Sequence, residues 1–261
     1  MATQKQDKIG SPIDMLRPYT VPNRPWVMHQ TWNDVLFAHW PIPVEKLQAI
    51  VPSCLPLDTY DGQAWISVVP CGMSGVRPRF LPAFPYLSQF PQINVRTYVT
   101  LNGKPGVYFF SLDADQSIVV ELARLSFKLP YFHATIEYKS DQNHNVSYYS
   151  TRKDSRSNSE QFKASYRPID EVMISVPGSL EYWLTERYCL YSVDTKGRVN
   201  RGEIDHCQWP LQRAEAEIEI NSLLSAYGIE LIQSKPLLHF AKRLHIHAWL
   251  LESCQAEGKI L

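Results

Sequence analysis

Two runs rich in β-branched and aromatic residues flank Asn102-Gly103, and this pairing constrains the chain more than any other feature. Val95, Thr97, Tyr98, Val99 and Thr100 suit a pleated surface, and Asn-Gly tolerates the positive φ angles of a tight turn. A hairpin is therefore expected, with its return strand over Val107 to Leu112. Ile118, Val119, Leu122, Ala123 and Phe127 then recur at helical spacing. Asp113, Asp115 or Ser117 is placed to cap that helix, Leu129-Pro130 to stop it, and Phe132 to Lys139 alternates as a further strand.

The remainder of the chain repeats this vocabulary of strands with short helices between them. Residues 1–25, with Pro12, Pro18, Pro22 and Pro25, read as an N-terminal arm, and residues 26–261 as one barrel domain. Strands are expected from Trp26 to Trp40, Ala64 to Pro70, Asn145 to Arg152, Gln161 to Arg167, Arg187 to Val193, Ala214 to Ile220 and Leu237 to Leu250. Short helices are expected between Pro43 and Pro52, over Leu180 to Glu186 and over Asn221 to Tyr227. The fold class that follows is α+β: a mostly antiparallel β-barrel or curled sheet with short peripheral helices. Between Arg77 and Pro91 four prolines alternate with Phe80, Phe84, Tyr86 and Phe90. A loop this apolar packs on its own domain or a partner subunit, or forms the lid of a pocket.

Lys plus Arg equals Asp plus Glu at 26 each, so no global field favours nucleic acid. No apolar run approaches the roughly 20 residues needed to cross a bilayer, so no membrane partner is expected. The polar MATQKQDKIGSP start lacks a signal-peptide core and points to the cytoplasm. Five scattered cysteines suit reduced thiols. His245-Ile246-His247 puts two imidazoles on one face of a strand, but no carboxylate stands at a ligand spacing beside them. Neither a metal nor a cofactor is expected.

NVRTYV, NGKPGVYFFSLDA, LPY, PGSLEYWLTERYCLY and HCQWPLQ closely resemble the YqjF-like bacterial family of unknown function, across nearly the whole chain from about Trp32 to Trp249. That family is similar in turn to the acetoacetate decarboxylase superfamily, whose enzymes form a Schiff base between a lysine and a β-keto acid. The resemblance implies the decarboxylase-like barrel and self-association into a homo-oligomer. Aligning the Asn102-Gly103 turn with the same hairpin in those enzymes places Tyr131 on the Schiff-base lysine, Phe132 on the second lysine and Gln92 on an active-site glutamate. Ala64 to Val68 offers no carboxylate for the other acidic position, and the arginine position lands near Asn33. A tyrosine cannot supply the amine that a Schiff base needs. The resemblance thus implies the fold without the reaction.

Arg96 sits inside a β-branched and aromatic strand, and Arg124 inside an apolar helix. Each needs a carboxylate, either from Asp113, Asp115, Glu121 or Glu186 or from a ligand. Gln92, Arg96, Arg124 and Tyr131 are therefore the candidate ligand-binding residues, for a small organic acid or carbonyl compound held in a barrel pocket. No catalytic residue is assigned. Two alternatives stand beside this reading: an enzyme of the superfamily with a relocated catalytic residue, such as Lys128, or a scaffold or interaction protein using the Pro-rich loop. Glu186-Arg187 reads as a structural ion pair.

Overall fold

The structure, a computed structural model, describes residues 17–85, 87–116, 128–231 and 234–254. The helix expected over residues 118–127, and Arg124 with it, lies outside them. The described strands are β1 (Met28–Ile42), β2 (Ala64–Pro78), β3 (Phe90–Leu101), β4 (Lys104–Ala114), β5 (Tyr131–Ser140), β6 (Val146–Arg152), β7 (Gln161–Pro168), β8 (Met173–Ile174), β9 (Cys189–Val193), β10 (Val199–Asp205), β11 (Pro210–Asn221), β12 (Leu237–Ala248) and β13 (Glu252–Cys254). Two short helices accompany them, α1 (Val44–Gln48) and α2 (Leu180–Thr185). Asn102 and Gly103 take φ of 51° and 70°, the turn that the sequence called for. Ser179 caps α2 by accepting from Tyr182 N. Asn221 to Tyr227, expected as a helix, instead finishes β11 and ends in one 3-10 turn at Ser225–Tyr227. No helix among the described residues is long and apolar enough to cross a membrane.

Hydrogen bonding runs β12-β1-β2-β3-β4-β5-β6-β7-β11, and β11 pairs back onto β12, closing a nine-stranded barrel. A second closure uses the same central strands. The first part of β4 pairs with β9 (Val107↔Leu190, Tyr108↔Tyr191), β9 pairs with β10, and β10 pairs with the end of β12 (Ile204↔Ala248, Asp205↔His247). Five strands, β12-β1-β2-β3-β4, are thus a wall shared by a large ring and a smaller one.

Both faces of this wall are covered, which explains its nearly unbroken burial in β1, β2 and β3, whereas β5, β7 and β11 alternate. Toward the large ring, Leu36, Ala38, Trp40, Val68, Val95 and Phe240 pack with Ile136, Tyr148 and Phe162. Toward the small ring, Trp32, Val35, Phe37, Cys71 and Ile246 pack around Trp209. The face that β1 shows to each ring switches at Asp34, where φ is 47° and the pairing with β2 slips between Asn33 and Ala38. Tyr138 Oη donates to Asp34 Oδ2 at 2.7 Å and holds this bulge.

Arg17 begins a described segment that lies across the small ring. Its guanidinium meets the Ile204 carbonyl and the Asp205 carboxylate and covers the Tyr188 ring. Further along, Trp249 Nε1 donates to the Arg24 carbonyl. The Pro-rich loop is exposed: Phe80 is 89 % accessible, with Leu81, Phe84 and Leu87 also open to solvent.

Candidate functional site

The small ring encloses a cavity of about 100 Å³. That is room for several waters or one small organic molecule. Its wall is mostly hydrocarbon, including Val107, Phe109, Leu112, Leu190, Ile246 and Trp249. The polar lining residues include Gln92, Arg96, Tyr131 and Arg187. Three of the four sequence candidates therefore fall on one cavity, and the fourth, Arg124, lies outside the described residues.

Arg96 reaches the cavity because β3 points Gln92, Asn94, Arg96 and Tyr98 to one face. It is 6 % exposed, and Nη2 donates to the Leu184 carbonyl at 3.4 Å. No carboxylate among the described residues pairs with it. Two of the internal partners expected from the sequence are taken elsewhere. Asp113 accepts from Arg152 Nε at 2.6 Å inside the large ring, and Glu186 accepts from Trp209 N and Tyr188 Oη. Burial pulls the Arg96 pKa down; Tyr98 opposes that shift and Arg187 adds to it. A guanidinium stays charged even so, and its Nε has no acceptor among the described residues.

Arg187 was read as the partner of Glu186, and the structure corrects this. Its Nη1 pairs with Asp58 Oδ2 at 2.6 Å, its Nε donates to the Trp183 carbonyl, and the group stacks on Tyr98 and Trp183. Among the described residues its Nη2 lacks an acceptor, as does Nε1 of the cavity-lining Trp32. As cavity residues neither Arg187 nor Trp32 is legible in the sequence, because one follows a glutamate that offers itself as a partner and the other precedes the polar Asn33-Asp34.

Behind Arg96 lies a buried polar cluster. Ser67 Oγ is 2.6 Å from both His39 Nδ1 and Tyr98 Oη. Burial, His239 and Arg96 together hold the His39 pKa well below its usual range, so the imidazole is neutral and gives Arg96 no further charge to contend with. Tyr131 Oη lies 3.4 Å from Gln92 Oε1, and burial, then Cys71, raises the phenol pKa. Tyr131 and Gln92 are the positions that the family resemblance set on the lysine and a glutamate. The described lining residues include no lysine. Lys128 instead faces Asp194 at 3.7 Å, with its side chain 43 % exposed. On the outer face of β1 and β12, His29 stacks on His245 and is tilted against His247, and no group of three among the described residues is arranged to hold a metal ion.

The comparisons with known proteins follow from this geometry. The profile of DUF2071, described as an uncharacterized conserved protein, matches residues 29–245. The chain belongs to the DUF2071 family. A relative in Bacillus subtilis (strain 168), the uncharacterized protein YqjF, is 50 % identical over 89 % of this chain and 94 % of its own. Among solved structures, an acetoacetate decarboxylase-like enzyme from Sphingomonas wittichii RW1 matches at a TM-score of 0.61 and 11 % identity, covering 89 % of this chain and 95 % of that one. The enduracididine biosynthesis enzyme MppR, complexed with pyruvate, matches at 0.59 and 10 %, covering 98 % and 99 %. Acetoacetate decarboxylase from Legionella pneumophila matches at 0.53 and 14 %, covering 96 % and 99 %. This DUF2071 chain therefore has the acetoacetate decarboxylase-like fold.

Proposed function

We propose that the small-ring cavity binds a small organic acid or carbonyl compound without Schiff-base chemistry, its polar end held by Arg96 and Arg187 with Gln92 and Tyr131 beside them. One observation carries this reading. Three side chains that line the cavity, those of Trp32, Arg96 and Arg187, have buried N–H groups without an acceptor, and Arg96 has no carboxylate partner among the described residues. Buried donors and charges of this kind are costly unless something accepts from them, and a ligand carboxylate supplies both the acceptor atoms and the charge. That MppR, with the same fold, is complexed with pyruvate supports a ligand of this class. A relocated Schiff-base lysine finds no support, since Lys128 pairs with Asp194.

The test is calorimetry with short 2-oxo, 3-oxo, mono- and dicarboxylic acids on the wild type and on Arg96→Met. Binding of at least one acid, lost in the variant, is the expected result; no binding by any acid would refute the reading. A second reading, self-association or use as an interaction protein, is favoured by the exposed Phe80, Leu81 and Phe84 and by Ile169, Val172, Ile174 and Val176 around the β8 edge. Light scattering across a dilution series tests it, and a monomer at every concentration argues against self-association.

A further inference from the structure

Charge accounting around the cavity narrows the ligand further. Arg187 is neutralised by Asp58 at 2.6 Å. Glu203, the one carboxylate among the described lining residues, is held through Oε1 by Lys104 at 2.6 Å and Arg201 at 2.8 Å. Lys104, Arg201 and Glu203 also line a separate outer pocket with Arg24 and Glu252, and alternation along β10 sets Glu203 on the face opposite Gly202 and Ile204. That leaves Arg96 as the single uncompensated charge among the described residues that line the cavity. Away from the arginines the described wall is Val107, Phe109, Leu112, Leu129, Leu190 and Ile246, with no cation among the described lining residues to meet a second anionic group.

We infer that the cavity selects a small monocarboxylate with a short branched or aromatic hydrocarbon body, over dicarboxylates and over neutral isosteres. The inference rests on the organic-acid reading above. One carboxylate neutralises Arg96 and satisfies its Nε; a second would be buried against hydrocarbon, where an unpaired charge is strongly disfavoured. A neutral amide leaves the guanidinium uncompensated. The small volume limits the body to a few carbons.

The experiment titrates wild-type protein with isovalerate, glutarate and isovaleramide, so that no variant has to fold. Isovalerate is expected to bind at least tenfold more tightly than either of the others. Glutarate or isovaleramide binding as tightly as isovalerate would overturn the inference while leaving an acid or carbonyl site in place. No binding by any of these, nor by the wider panel of acids, would overturn both. As a converse check, Leu190→Lys, at a half-buried position on the apolar wall, should bring glutarate to within threefold of isovalerate. A glutarate affinity unchanged in a folded Leu190→Lys protein would count against the charge argument.

Discussion

Each ring holds a buried arginine, and the two are treated in opposite ways. In the large ring Arg152 is saturated. Its Nε donates to Asp113 at 2.6 Å and its Nη2 to Ser111 at 2.5 Å, its Nη1 lies 3.6 Å from Glu160, and it covers the Phe132 ring. In the small ring Arg96 has one long bond to a carbonyl, the Tyr98 side chain beside it and the Phe37 ring beneath it, and no carboxylate among the described residues. The seams differ in the same sense. The large ring closes onto the shared wall through three residue pairs at β4–β5 and three at β11–β12, while the small ring closes through two at β4–β9 and two at β10–β12. Where the buried arginine is paired with carboxylates and the closures are longer, the molecule has what holds it together. Where groups are left open behind short seams, it has what a ligand would complete.

The sharpest way to break this comparison is to remove each arginine. Arg152→Met strands Asp113 and Glu160 as buried carboxylates and is expected to cost about 3–5 kcal/mol in urea unfolding. Arg96→Met removes an uncompensated charge and is expected to leave stability within about 1 kcal/mol of wild type, or above it, while abolishing acid binding. Equal destabilisation by the two variants would mean that Arg96 has an internal structural role after all.

Glu186 gives the next effect in size. It is a buried acid beside the small ring with two neutral donors, and burial pushes its pKa up from 4.5 to about 6 against the pull of Trp209 N and Tyr188 Oη. An acid whose pKa is raised by folding adds stability below its unfolded pKa and loses it as pH rises through the folded one. Between about pH 4.5 and 6.5 the wild type should therefore lose about 2 kcal/mol that Glu186→Gln does not lose. Parallel urea midpoints for the two proteins across that window would remove the prediction.

Legibility in the sequence follows the same division. Strands with one wet face, such as Phe132 to Lys139 and Ala214 to Ile220, alternate visibly and were found with nearly correct limits. Of the shared wall, β1 and β12 are legible nearly whole, while the expected limits of β2, β3 and β4 fall short of the strands. β2 was expected to stop at Pro70 and runs to Pro78, because a strand buried on both faces loses the period-two signal. β10 was not foreseen beyond the Lys196-Gly197 turn: its Arg201, Glu203 and Asp205 look like loop residues, and their pairing with Lys104 and Arg17 is long-range. Arg96 was conspicuous because a charge interrupted a β-branched run. Arg187 was hidden by its neighbour, since nothing in Glu186-Arg187 says that the arginine pairs with Asp58.

Seam length can be tested directly by hydrogen exchange. The amides at the closures of the small ring, at Leu190, Tyr191 and Asp205, should exchange on the order of tenfold faster than those in the centre of β1 and β2, an opening free energy lower by about 1.4 kcal/mol. Bound acid should slow them selectively, since Leu190 and Ile204 line the cavity. Uniform protection across both rings would dissolve the distinction between a stable barrel and a looser closure.

The smallest effect separates the cavity from the amine that sequence proximity offered for it. Lys128 stands three residues before Tyr131, yet it meets Asp194 at 3.7 Å across a partly exposed gap. Exposed pairs of this length contribute little, so Lys128→Ala should shift stability by less than about 0.5 kcal/mol. The acid affinities should stay as they are, because the lining group is Leu129 and not its neighbour. Loss of binding in Lys128→Ala, or a borohydride-trapped adduct on wild type that the variant lacks, would return a lysine to the chemistry. The cavity would then be a reaction site, with Tyr131 beside the nucleophile instead of in its place.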